Sequence, residues 1–158
     1  MNRIAVKTAA VCLAASMAVA SVYPSVSTVK DTAENKVVYA EAGKNLIDNP
    51  ECKTTEGFGL YLDGGAVAEL SAKDGALDVS IEDVGKLNYG VQLNYAIIPL
   101  YKDGVYRLSF DIKSDVERYT EALVQMDGGD YTSYVWKGFD VTTEWQTVEK
   151  EFTMAKEA

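Results

Sequence analysis

Apolar and polar positions alternate with a period of two through most of the chain after Ala40. Leu77, Val79 and Ile81 alternate with Asp78 and Ser80, and Tyr106, Leu108, Phe110 and Ile112 alternate with Arg107, Ser109, Asp111 and Lys113. Val148, Phe152 and Met154 keep the same rhythm, with Lys150 breaking the row. The apolar positions are largely β-branched or aromatic, so each run predicts a half-buried strand. Turn signals separate the runs at Asp63-Gly64-Gly65, Lys73-Asp74-Gly75, Lys102-Asp103-Gly104 and Asp127-Gly128-Gly129. No stretch after Ala40 holds an apolar stripe of helical period for three turns. Short strands spaced about ten residues apart, with no crossover helices, predict an all-β antiparallel sandwich or barrel. Periodicity alone does not separate jelly-roll, immunoglobulin-like and barrel topologies.

Alternation also assigns faces. If Ala122, Val124 and Met126 point to the core, Glu121, Gln125 and Asp127 point together to the other side, and Leu123 shares it. Tyr134 and Trp136 alternate around Val135 and project from one face. The expectation there is core filling, Trp136 foremost, with an extended aromatic platform as the alternative.

The head of the chain follows a different pattern. Arg3 and Lys7 precede an apolar run from Thr8 to Val22, the layout of an export leader, with small-residue cleavage patterns at Ala18-Val19-Ala20 and Val38-Tyr39-Ala40. The later site is preferred, because Ser25 to Lys36 is polar and without period. The expected organisation is a leader over residues 1–40, removed on secretion, and one domain over 45–158. A membrane span needs about 20 apolar residues, so the run is short for an anchor. Cys12 lies in the leader, which leaves Cys52 alone and excludes an internal disulfide in the remainder.

Charge narrows the partners. After Ala40, 11 Lys or Arg stand against 22 Asp or Glu, a formal charge of −11. Phosphate backbones and anionic membrane surfaces are repelled by such a chain, so nucleic acid and membrane are not expected partners; a neutral polymer is not hindered.

Chemistry narrows the function. The sequence contains no histidine, which excludes Ser-His-Asp and Cys-His sites, His-ligated zinc and an imidazole base. The Gly64-Gly65 and Gly128-Gly129 pairs follow Asp as turn residues, and no Lys-Ser or Lys-Thr follows them to cradle phosphate. Glu149 and Glu151 read as a solvated strand face. No catalytic site is expected within these 158 residues.

Several segments, in order, carry a family likeness. They are Asn45-Leu46-Ile47-Asp48-Asn49, Gly57-Phe58-Gly59-Leu60-Tyr61 with Asp63-Gly64-Gly65, Asp74-Gly75-Ala76-Leu77, and Tyr89-Gly90-Val91-Gln92-Leu93-Asn94. Lys102 to Ser114, Ala122 to Gly128 with Tyr131, and the closing run Phe139 to Met154, with Trp145 in a Glu-Trp-Gln signature, complete the set. Together they resemble the CenC-type carbohydrate-binding modules, families four and nine, with Phe58 replacing the usual tryptophan.

The resemblance implies a jelly-roll β-sandwich that grips a polysaccharide, β-glucan or xylan-like, in a groove across one sheet. Carried over position by position, the flanking rings are Tyr61 and Tyr131, and Gln92 and Asn94 supply groove amides. Glu121 falls where some members carry arginine and Asp127 where some carry asparagine; Gln125 joins them by strand alternation. The likeness also implies a structural calcium near Glu51 and Gly75, although the family's third ligand, an aspartate in its last strand, has no counterpart. Members close with a further strand or two, so the chain is expected to be C-terminally incomplete, lacking its last strand(s), and to continue into a catalytic glycoside hydrolase domain. The alternative function is a secreted structural or adhesion spacer in which the tyrosines merely pack.

Overall fold

The computed structural model describes residues 2–13, 44–95 and 98–155. No helix occurs among them. The strands are β1 (Asn2–Leu13), β2 (Phe58–Leu62), β3 (Val67–Lys73), β4 (Ala76–Asp83), β5 (Val91–Tyr95), β6 (Val105–Ser114), β7 (Arg118–Gln125), β8 (Ser133–Val141) and β9 (Gln146–Thr153). One sheet runs β3-β4-β1-β6-β9; β2 pairs with β5 and β7 with β8 in two further ribbons, and all pairings are antiparallel.

Local chemistry sets these connections. Asp74 and Gly75 both take positive φ, +54° and +71°, and Lys73 pairs directly with Ala76, so β3 and β4 join through a two-residue turn. Positive φ at both central positions is the requirement of the type I′ turn, which Asp-Gly meets at little cost.

Alternation then decides burial. Leu77, Val79 and Ile81 of β4 are buried, as are Tyr106 and Ile112 of β6 and Val148 and Phe152 of β9. Against them, from the two ribbons, pack Phe58 of β2, Leu93 and Tyr95 of β5, Val124 of β7, and Val135 and Val141 of β8. The five-stranded sheet and the ribbons thus form the two layers of a β-sandwich, the fold that alternation and family likeness together predict. Ile47 and Cys52 close one end of the core beside Leu77, so the thiol is a core group. Full burial of a side chain such as Leu77 contributes about 1.5–3 kcal/mol. Lys150 falls opposite Leu108 yet stays exposed on β9, which ends the described sheet. A lysine at such an edge discourages further strand pairing.

The head of the chain occupies an unexpected place. Residues 2–13, read from sequence as part of an export leader, run as β1 between β4 and β6. Ile4 and Val6 face inward beside the Ile112, Val141 and Val148 cluster, and Arg3 reaches Asp78 at 2.8 Å on the other face. The alternation of Ile4 and Val6 serves a sandwich as well as it serves a leader. The remainder of the expected leader, with both cleavage patterns, lies outside the described residues.

Candidate functional site

The layer built from the ribbons has an outer face, and side chains directly opposite in a ladder share it. On the first ribbon Tyr61 stands opposite Gln92 and Gly59 opposite Asn94. Phe58, Leu93 and Tyr95 turn inward to the core, which sends Tyr61, Gln92 and Asn94 outward together. Tyr61 is 48% exposed. Gln92 is held by a bond from its Nε2 to the Tyr89 carbonyl at 3.1 Å, which leaves its amide oxygen to accept. Asn94 is exposed, and no side chain from Gly59 shields it across the ladder.

On the second ribbon Glu121 stands opposite Gly138 and Gln125 opposite Ser133, all four exposed. Ala122, Val124 and Met126 are half-buried, as alternation predicts. Asp127 follows β7, exposed, at the start of the loop that carries Tyr131. Tyr131 is 59% exposed and sits at φ +51°, its N–H donating to the Gly128 carbonyl at 3.1 Å. A positive φ is uncommon outside glycine, and here the turn it closes projects the ring from the loop.

Tyr61 Oη donates to Asp63 Oδ2 at 3.2 Å, and this bond, with the carboxylate's charge, raises the phenol above its ordinary range. Desolvation adds to the shift, as do the neighbouring phenols of Tyr89 and Tyr131. Those two phenols come from the β4–β5 loop and the β7–β8 loop, while Tyr61 stands on β2. Tyr119 repeats the device: its hydroxyl donates to Glu121 Oε1 at 3.1 Å, and that bond chiefly raises its pKa.

Some residues stand elsewhere than expected. Trp136, read as a core residue, is exposed on the outer face of β8. Val135, Phe139 and Val141 take the inward positions of β8, so alternation turns Trp136 outward; a β-bulge, at which Val124 pairs with Val135 but Gln125 with Ser133, leaves Tyr134 unpaired and takes it off the face expected to hold both rings. Tyr134 packs half-buried against the core cluster of Leu100, Tyr106 and Val135. Tyr119 joins the face, and exposed Tyr89 stands beside Gln92, although neither was named from sequence as a binding residue. Tyr119 was within reach of the rule applied to β7, since it lies two residues before Glu121.

The face presents no imidazole or thiol among the described residues. Its groups are phenols, amides and carboxylates, and the open depression lined by Glu149, Lys150 and Glu151 on β9 holds none of its aromatic rings. At the expected calcium position, Glu51 is paired with Lys53, and Gly75 belongs to the β3–β4 turn. Among the described residues no three His, Cys, Asp or Glu side chains converge.

Comparison with known proteins agrees with this geometry. The model of a carbohydrate-binding domain family, CBM_4_9, matches residues 44–158, a span that includes every residue placed on the face and excludes β1. A solved structure titled "CBM4 structure and function" is similar at 24% identity and a TM-score of 0.61, covering 71% of this chain and 76% of that one. No curated protein matches.

Proposed function

The chain belongs to the CBM_4_9 family of carbohydrate-binding domains, and from that premise we propose that it holds a neutral β-glucan or xylan-like chain for an exported glycoside hydrolase. One observation carries the reading: Tyr61 stands exposed opposite Gln92 with Asn94 on the same face, and Tyr131 projects exposed from the β7–β8 loop.

A pyranose presents apolar C–H faces and a rim of hydroxyls. It therefore needs a flat apolar platform with fixed donors and acceptors beside it. Tyrosine supplies the platform, and Asn and Gln supply donor and acceptor from one group. Each hydrogen bond nets about 0.5–1.5 kcal/mol once water is displaced. Binding is therefore in the roughly micromolar to millimolar range and depends on several sugar rings being engaged at once. The exposure of both rings supports this reading over a spacer in which they pack.

Affinity electrophoresis tests it. Barley mixed-linkage β-glucan or soluble xylan in the gel should retard the full chain in proportion to its concentration. Unchanged mobility in every neutral polysaccharide overturns the proposal.

A further inference from the structure

The outer face of β7 and β8 carries an apolar strip that Tyr61 and Tyr131 do not explain. Tyr119 and Trp136 are each 63% exposed, and Leu123 is 45% exposed. Leu123 stands directly opposite Trp136, and Tyr119 is two residues from Glu121, whose partner is Gly138. A Cβ built on Gly138 would lie 2.0 Å from Tyr119 Oη and 2.8 Å from its Cζ. The phenol thus lies down along the sheet, over a residue of β8 that has no side chain to lift it. Its hydroxyl holds the Glu121 carboxylate at 3.1 Å. The result is an exposed strip of phenol, indole and isobutyl groups with a held acceptor beside it.

An exposed apolar patch of this kind marks an interaction surface, and charge selects its occupant. The chain carries a formal charge of −9, and Glu121 and Asp140 share this face. A second copy, a nucleic acid or an anionic lipid surface would bring like charge against it. A neutral saccharide brings none. It lays C–H faces on the rings and donates hydroxyls to the carboxylate, a charge-assisted bond stronger than a neutral one.

We propose that Tyr119, Leu123 and Trp136 form a second sugar-stacking platform, with Glu121 as its hydroxyl acceptor, and that this platform selects uncharged glycans over uronic-acid-bearing ones. The inference rests on the carbohydrate-binding reading above and extends it. Glu121 in this role repels a sugar carboxylate, so a polymer that is neutral over the platform binds and its acidic counterpart does not.

The test uses the full chain. Trp145→Phe leaves Trp136 as the single tryptophan. Titration with barley β-glucan should shift its emission to the blue and protect it from acrylamide. In affinity gels, Trp136→Ala should weaken binding by about tenfold or more, the loss typical of a truncated aromatic anchor. Gly138→Ala should do the same while retaining every ring, because its methyl displaces the Tyr119 phenol. Thermal melting confirms that both variants fold. Carboxymethylated β-glucan should bind weakly to the wild type and regain affinity with Glu121→Gln.

Retardation of both variants equal to wild type, combined with its loss in Tyr61→Ala, overturns the second platform and leaves the family reading intact. Equal binding of neutral and carboxymethylated glucan overturns the selectivity. Absence of any retardation of the wild type removes both proposals together.

Discussion

Replacing Tyr61 by alanine separates recognition from packing. The ring is 48% exposed, and its hydroxyl meets Asp63, a neighbour in its own chain segment. Full burial of a large apolar side chain is worth about 1.5–3 kcal/mol, so a half-buried ring on the outer face contributes roughly 1 kcal/mol to folding. An exposed hydrogen bond to Asp63 adds little, since water replaces it. In contrast, the loss of a stacking platform removes an anchor, at a cost of about 2 kcal/mol, or roughly thirtyfold in affinity. The assay pairs urea unfolding with affinity electrophoresis in barley β-glucan. The expected outcome is a small change in unfolding midpoint and a large loss of retardation. A loss of about 3 kcal/mol of stability with unchanged retardation would falsify the assignment and make Tyr61 a packing residue.

Two further predictions follow from particular contacts. Asp63→Asn keeps the oxygen that accepts the Gly64 N–H but removes the charge that holds up the Tyr61 phenol; ultraviolet titration should then show one phenol ionising earlier. The sign is that of a raised group: the folded pKa exceeds the unfolded one, so its contribution is complete below the ordinary phenol range and fades as pH climbs through the raised value. Removal of residues 1–40 would take β1 from between β4 and β6. Amide exchange at β4 and β6 positions that face β1, Val79 and Lys113 among them, should accelerate in chain 41–158 unless another strand fills the slot; unchanged protection in a monomer would show that β1 does not contribute.

The strands and their faces were legible where alternation was unbroken. Leu77 to Ile81, Tyr106 to Ile112 and Ala122 to Met126 each buried the predicted side, because a period of two admits only two faces. Trp136 was misread although Val135, Phe139 and Val141 alternate inward around it; only the bulge at Tyr134, which separates that ring from the face of Trp136, has no local signal. Tyr89 lies in a loop, where periodicity assigns no face. The role of β1 was hidden because Ile4 and Val6 alternate within a segment whose charge and apolar run also describe a leader. Tyr61, Gln92 and Asn94 came from family likeness, and the ladder then placed them on one face; the pairing of each exposed phenol with a carboxylate two residues along, Tyr61 with Asp63 and Tyr119 with Glu121, became apparent only from atomic distances.

The most direct measurement is amide chemical-shift mapping of the isotopically labelled chain during titration with a soluble β-glucan oligosaccharide. The account predicts shifts on the outer positions of the two ribbons, at Tyr61, Gln92, Asn94, Glu121 and Gly138, while β3, β4, β6 and β9 stay still. Shifts concentrated on the five-stranded sheet, or none at saturating sugar, would contradict it.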